Sequence, residues 1–102
     1  MTPEVVLLIA EDDDGHAELI LRNLRRAGIA NKVLRFPDGQ EVLDFFLAKA
    51  DGPHYEKDAS YLLLLDIRMP RVDGIEVLRR LKKDSTFASI PVTMITTTDD
   101  PR

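Results

Sequence analysis

The sequence predicts an α/β protein with a doubly wound parallel sheet that carries helices on both faces. Short apolar runs of strand length alternate along the chain with segments in which apolar residues recur at helical spacing. Such alternation is typical of a parallel sheet with right-handed crossovers. The chain has 102 residues and is 44% hydrophobic, so it can bury one core but not two. We therefore expect a single domain.

Four apolar runs are predicted to be strands. Residues 5–10 are rich in β-branched side chains and end in acidic residues, which is typical of a strand buried on both faces. Residues 32–36 and 61–65 form the second and third runs. Residues 90–95 form the fourth, with Pro91 near its start, where a missing backbone donor is tolerated.

Three helices are predicted between these strands. The first has Asp13 or Asp14 to cap its start and Gly28 to close its end. The second follows the turn at residues 37–39, and the third begins after Asp73. The expected apolar positions are Ala17, Ile20, Leu21, Leu24 and Ala27 in the first helix, Val42, Leu43, Phe46 and Leu47 in the second, and Ile75, Val77, Leu78 and Leu81 in the third.

Composition argues against several classes of function. The net charge of −4 gives no general attraction to nucleic acid or to anionic membranes. Cysteine is absent, which excludes a disulfide framework and a thiolate metal site and fits a reducing compartment. The first apolar run is too short for a signal sequence or a membrane helix. We expect a cytoplasmic protein with no nucleic-acid or membrane partner.

Polar residues stand at the ends of three predicted strands. Glu11 and Asp12 follow the first strand, Asp66 follows the third, and Thr96 follows the fourth. In open parallel sheets, ligands bind outside the carboxyl ends of the strands, where the strand order reverses. We therefore expect these four side chains to converge on one rim of the sheet.

Three carboxylates in close proximity raise one another's pKa unless a cation offsets their charge. Mg²⁺ suits such a site because it binds oxygen ligands, including one or two carboxylates, and keeps waters that a phosphate can displace. Bound there, the ion would favour phosphoryl transfer, and Asp66 would be the oxygen nucleophile that forms an acyl phosphate.

Together these motifs resemble the receiver domain of response regulators. The resemblance is carried by Glu11 and Asp12 after a hydrophobic strand, by "LLLLDIRMPRVDG" at residues 62–74, and by "PVTMITTT", which places Thr96 thirty positions after Asp66. It spans nearly the whole chain. Within the family the sequence is most similar to single-domain regulators associated with phytochrome-like kinases, which share the opening "EDD", the helix start "DGQEVLDF" and a long loop before the third strand.

The resemblance implies a flavodoxin-like sheet with strand order 2-1-3-4-5 and a role for each rim residue. Asp66 would accept a phosphoryl group from a histidine of a sensor kinase, while Glu11 and Asp12 would hold Mg²⁺ directly or through water. The backbone carbonyl of Arg68 would be the remaining protein ligand. Thr96 would turn inward to bind the phosphoryl group and shift the following loop. Such a protein is a switch that signals to a downstream protein by contact; it is no enzyme beyond its own phosphoryl transfer and dephosphorylation.

The family pattern extends beyond the motifs found here. Receiver domains also have a fourth helix, a fifth strand with an invariant lysine that pairs with the phosphoryl group, and a fifth helix. No lysine stands at the matching place in this sequence, so residues 1–102 are interpreted as a receiver domain that is incomplete at its C-terminus. The fourth strand would then be an unpaired edge, which a homodimer or an exchange of elements with a second copy would cover.

Three alternatives compete with the receiver interpretation. A phosphatase with a strand-end Asp-x-Asp requires a second acid where this chain has Arg68. An EF-hand read from "EDDDG" would place its first ligand on Ala10 and its last on Leu21, neither of which can bind calcium. The third alternative is a phosphorylation-incompetent receiver fragment that acts as an interaction or oligomerisation module. Metal titration with and without a phosphate mimic separates this alternative from a switch.

Overall fold

The computed structural model describes residues 5–49 and 51–95 as a parallel sheet with alternating helices. The elements are β1 (Val5–Ala10), α1 (Asp14–Arg26), β2 (Val33–Phe36), α2 (Gly39–Leu47), β3 (Ser60–Asp66), α3 (Gly74–Lys83) and β4 (Val92–Ile95). The four strands pair in parallel in the order β2-β1-β3-β4. The predicted fold class and the predicted order 2-1-3-4 are confirmed. Among the described residues, no helix has the length and apolar character needed to cross a membrane.

The strand register brings the carboxyl ends of the strands to one edge of the sheet. Ala10, the last residue of β1, pairs with Phe36 in β2 and with Leu65 in β3. Asp66 pairs with Ile95 at the end of β4. Side chains that follow these strand ends are therefore neighbours on one rim, as the sequence predicts.

The two faces of the sheet are covered differently in the described part of the chain. Towards α2 and α3, Leu63 and Leu65 of β3 are fully buried in an aromatic-rich core. Towards α1, Ile9 is buried, but Leu62 and Leu64 are only half-buried. The core beneath α2 and α3 comprises Leu8, Ala10, Phe36, Val42, Leu43, Phe45, Phe46, Tyr61, Leu63, Leu65, Met69, Val77, Leu81, Phe87 and Ile90. Most of the buried apolar surface thus lies on one side of the sheet.

Each described helix is preceded by an aspartate that caps it, with a side chain that accepts a backbone hydrogen bond from the first turn. Asp13 accepts from the N–H of residue 16, Asp38 from that of residue 41, and Asp73 from that of residue 76, at 2.8–2.9 Å. This arrangement satisfies a helix donor that would otherwise lack a partner. The predicted cap at Asp73 is confirmed, and of the two residues predicted for the first helix, Asp13 and Asp14, Asp13 is the cap. Gly28 has a φ of +84° just past α1, so the predicted glycine at that helix end is also confirmed.

Three residues predicted to lie on apolar helix faces are exposed instead. Ala27 is exposed, Leu47 is 47% exposed and Ile75 is 49% exposed, so the prediction was wrong for all three. All three lie at a helix end: Ala27 is the C-cap of α1, Leu47 is the last residue of α2, and Ile75 is in the first turn of α3. Periodicity indicates which way a side chain faces but not whether the helix end still overlaps the sheet. Phe45, which the predicted face omitted, is buried and packs against Phe36.

The close approach of α3 to the end of β3 requires glycine at position 74. A Cβ on Gly74 would lie 2.1 Å from the carbonyl oxygen of Asp66. The N–H of Gly74 donates to the carbonyl of Ile67 at 2.8 Å. We expect Gly74→Ala to lower the free energy of unfolding by roughly 2 kcal/mol or more, because both backbones must separate. Urea unfolding measures this change.

Gly15→Ala is the matched control for that substitution. Its added Cβ would meet only a side-chain oxygen of Asp13, at 3.2 Å, inside a helix where alanine is favoured. Its stability should change by less than about 1 kcal/mol in either direction. Equal stability of the Gly74 variant and the wild type would contradict the close-approach argument.

Candidate metal centre

Three carboxylates converge at the rim of the sheet. Glu11 and Asp12 lie between β1 and α1, and Asp66 is the last residue of β3. One oxygen from each lies within 4.8 Å of the others. Glu11 and Asp66 are buried, whereas Asp12 is exposed. The predicted convergence of these side chains is confirmed, and it forms a site with a buried base and an open side.

The carboxylate of Glu11 is only partly satisfied by hydrogen bonds. Its Oε2 accepts the backbone N–H of Asp13 at 3.0 Å. Its Oε1 is buried and accepts no hydrogen bond from any residue that the structure describes. A buried carboxylate oxygen in this state costs free energy unless a cation or a donor reaches it. The oxygen therefore fits a divalent metal, as does the all-oxygen donor set of Glu11, Asp12 and Asp66.

The electrostatics of the site support the same conclusion. Burial raises the pKa of Glu11 above its ordinary value, and the negative charges of Asp66 and Asp12 raise it further. The Asp13 N–H acts against this rise because it stabilises the charged form. A divalent cation between the carboxylates would offset both the burial and the repulsion between like charges.

The loop between β3 and α3 is fixed at its far end by an ion pair. Arg71 has a left-handed backbone with a φ of +68°, which is uncommon for a residue other than glycine. Its Nε and Nη2 donate to the two carboxylate oxygens of Asp38 at 3.0 and 3.2 Å. Arg68 lies earlier in this loop, and with Asp12 and Asp73 it lines an open depression beside the carboxylates. Arg68 therefore lies close to the candidate site.

Two other residues complete the comparison with the predicted site. Thr96 lies outside the described residues; Ile95, which precedes it, pairs with Asp66. His16 was not among the predicted site residues, yet its Nδ1 lies 3.8 Å from Glu11 Oε2, and its side chain is 34% exposed. No spacing rule would have found this contact, because it depends on how α1 begins after the loop.

A parallel sheet in this order, with a carboxylate cluster at its rim, is typical of a receiver domain of the two-component type. The family described as "Response regulator receiver domain" matches residues 7–102. The chain belongs to this family. The predicted family and its flavodoxin-like fold are confirmed.

Several relatives show which regulators the chain is similar to. It is 35% identical over 92 residues to the probable methanogenesis regulatory protein FilR2 of Methanothrix harundinacea, covering 90% of this chain and 57% of that protein. It is 30% identical over 95 residues to response regulator Rcp1 of Synechocystis sp., covering 93% of this chain and 63% of that protein. The chain thus spans less than two thirds of the length of these curated relatives.

Among solved structures, the chain is similar to phytochrome-associated regulators. The bacteriophytochrome response regulator AtBRR superposes with a TM-score of 0.77 and 33% identity, over 97% of this chain and 70% of that one. The Mn²⁺-bound form of Rcp1 superposes with a TM-score of 0.76 and 28% identity, over 97% of this chain and 69% of that one. The predicted likeness to phytochrome-associated regulators is confirmed.

The raised pKa of Glu11 predicts how the metal-free protein responds to Glu11→Gln. A carboxyl whose folded pKa exceeds its unfolded value destabilises the fold as pH rises through that range. In EDTA, the variant should therefore be more stable than the wild type at pH 7, and this advantage should shrink as pH falls towards 4.5, the ordinary value. Thermal unfolding of both proteins across this range measures the difference.

The same variant should lose most of the stabilisation that Mg²⁺ gives the wild type. Asp12→Asn is the matched control, because Asp12 is exposed and its removal should weaken metal binding with little gain in metal-free stability. A Glu11→Gln variant that is less stable than the wild type in EDTA would contradict the electrostatic account.

Proposed function

We propose that this chain is the phosphoacceptor of a two-component pathway, in which Asp66 receives a phosphoryl group from a sensor histidine kinase in the presence of Mg²⁺. The observation that carries the proposal is the convergence of Glu11, Asp12 and Asp66 oxygens within 4.8 Å, with Asp66 at the tip of β3. Related structures support it: one is the phosphorylated form of the cyanobacterial phytochrome response regulator RcpA, and another is the Mn²⁺-bound form of Rcp1.

The reaction at Asp66 transfers a phosphoryl group from nitrogen to oxygen. A carboxylate oxygen of Asp66 attacks the phosphorus of a phosphohistidine, the P–N bond breaks, and the imidazole keeps the electron pair. The new P–O bond makes an acyl phosphate. Glu11, Asp12, Asp66 and the carbonyl of Arg68 would hold Mg²⁺, which when bound offsets the charge of the phosphoryl oxygens.

Burial and backbone hydrogen bonds position Asp66 for this transfer in the unphosphorylated protein. Asp66 is 2% exposed, so its carboxylate is partly removed from water at the end of a strand. Its neighbour Ile67 donates its N–H to Ile95, and the Ile67 carbonyl accepts from Gly74, which fixes the backbone on both sides. The open side of the site, at the exposed Asp12, is where a phosphohistidine can approach. The backbone that carries the attacking carboxylate is therefore held in place, while the side of the site at Asp12 stays open.

Membership of the family supports the remaining parts of the proposal. Thr96 would bind the phosphoryl group once it is in place and so carry the switch. We expect the kinase to be of the phytochrome-associated type, the output to pass to a downstream protein by contact, and the protein to act in the cytoplasm. Catalysis is limited to its own phosphoryl transfer and dephosphorylation, so the chain is a switch rather than an enzyme.

Incubation with a small phosphodonor and Mg²⁺ tests the proposal directly. The wild type should gain the mass of one phosphoryl group, and hydroxylamine should remove it as expected of an acyl phosphate. Asp66→Asn keeps Glu11 and Asp12 but should gain no mass. Unchanged phosphorylation of the Asn variant would place the acceptor elsewhere. A wild type that binds Mg²⁺ without being phosphorylated would favour the interaction module instead.

The side chain of Arg68 should affect how long the acyl phosphate lasts. It is exposed in the depression beside Asp12, where its charge can contact the phosphoryl group or hinder the attacking water. An exposed charge contact is worth about 0.2–1 kcal/mol, so Arg68→Ala should speed dephosphorylation by up to about fivefold. Loss of labelled phosphate over time gives the rate.

Lys83→Ala is the control for that measurement. It also removes an exposed cation, but from the last residue of α3, at the opposite end of the helix from the rim. It should leave the rate unchanged. Identical rates for Arg68→Ala and the wild type would remove the role assigned to Arg68.

A further inference from the structure

The loop that carries Glu11 and Asp12 is held by an arginine from the neighbouring strand. We propose that Arg35 is a positioning residue for the metal centre, because it fixes the backbone from which these two carboxylates project. The inference rests on the proposed function, since it assigns Arg35 a role towards the same metal.

The guanidinium of Arg35 makes three hydrogen bonds, two to Glu11 just after β1 and one to the first residue of α1. Its Nε and Nη2 donate to the backbone carbonyl of Glu11 at 3.1 and 2.8 Å. Its Nη1 donates to Oδ1 of Asp14, the first residue of α1, at 2.6 Å. The rigid, planar fork of arginine suits this arrangement, in which one side chain joins the end of a strand to the start of a helix.

Together with one backbone hydrogen bond, these contacts hold Glu11 on both sides of its Cα. The N–H of Glu11 donates to the carbonyl of Phe36 in β2 at 3.0 Å, and Arg35, also in β2, binds the carbonyl of Glu11. Because peptide groups are planar, both peptide planes that flank Glu11 are anchored to β2. The second of these planes continues into Asp12. The directions in which the Glu11 and Asp12 side chains leave the backbone are therefore set largely by β2.

The charge of Arg35 and its proposed positioning role predict opposite changes in metal affinity when Arg35 is replaced. A positive charge close to a cation site weakens cation binding, so removal of the charge alone would strengthen it. If Arg35 acts by positioning, its removal frees the loop and weakens metal binding instead. Partners that orient metal ligands typically change metal affinity by about 10- to 100-fold when they are mutated. The sign of the change therefore separates the two roles.

The test compares Mn²⁺ and Mg²⁺ affinities of the whole chain by calorimetry. Arg35→Gln should weaken binding by about tenfold or more. Arg35→Lys keeps the charge but lacks the fork, so it should also bind more weakly than the wild type, by a smaller factor. Arg22→Gln is the matched control: it removes an exposed cation from α1 and should leave affinity unchanged or slightly tighter.

Unfolding in EDTA shows whether each variant is folded at the temperature of the titration. If Arg35→Gln is unfolded there, the lysine variant decides, since weaker binding by a folded protein of unchanged charge supports positioning. Wild-type affinity in a folded Arg35→Gln or Arg35→Lys variant, or tighter binding, overturns the role of Arg35 and leaves the proposed function intact. A wild-type protein that binds neither ion overturns both.

Discussion

The repulsion among three carboxylates at the strand tips is the constraint on which the rest of the structure depends. Like charges within 4.8 Å of one another oppose the fold, and two of these carboxylates, Glu11 and Asp66, are also buried. The three carboxylates stay close together despite this repulsion because they project from, or directly follow, the ends of hydrogen-bonded strands and cannot easily move apart. A divalent cation held among the three oxygens would offset this repulsion.

The surroundings of the site explain how the carboxylates are kept close together. Two glycines allow backbones to meet at the rim: Gly74 lies against the carbonyl of Asp66, and Gly39 lies against the carbonyl of Val72. The ion pair between Arg71 and Asp38 also joins the loop between β3 and α3 to the start of α2. Beneath them, the aromatic side chains of α2 pack on the sheet. The loop between β3 and α3 is therefore held tightly against the end of β3 and the start of α2.

This arrangement suits a switch better than a hydrolase. Two residues beyond Asp66 the chain has Arg68, where a phosphatase of this type requires an acid to protonate the leaving group. An acyl phosphate on Asp66 would therefore form without a built-in general acid at that position. Membership of the receiver family agrees with this chemistry.

The sequence by itself determined the architecture and the main site. Apolar runs set the strands, aspartates set the helix starts, and the rule that parallel strands end at one rim placed Glu11 and Asp12 beside Asp66. These features are predictable because they depend on local periodicity, on capping, and on the topology that follows from them.

Only the tertiary structure decided which residues support the site and how deeply each is buried. Arg35 stands 24 positions from Glu11 in the sequence, and its contact exists only because β2 pairs with β1 in one particular register. Adjacent acidic residues look alike in sequence, yet Glu11 is buried and Asp12 is exposed. Leu47 and Ile75 follow the helical period but lie at helix ends that the sheet leaves uncovered. Such contacts depend on where whole elements meet in space, which local sequence patterns do not encode.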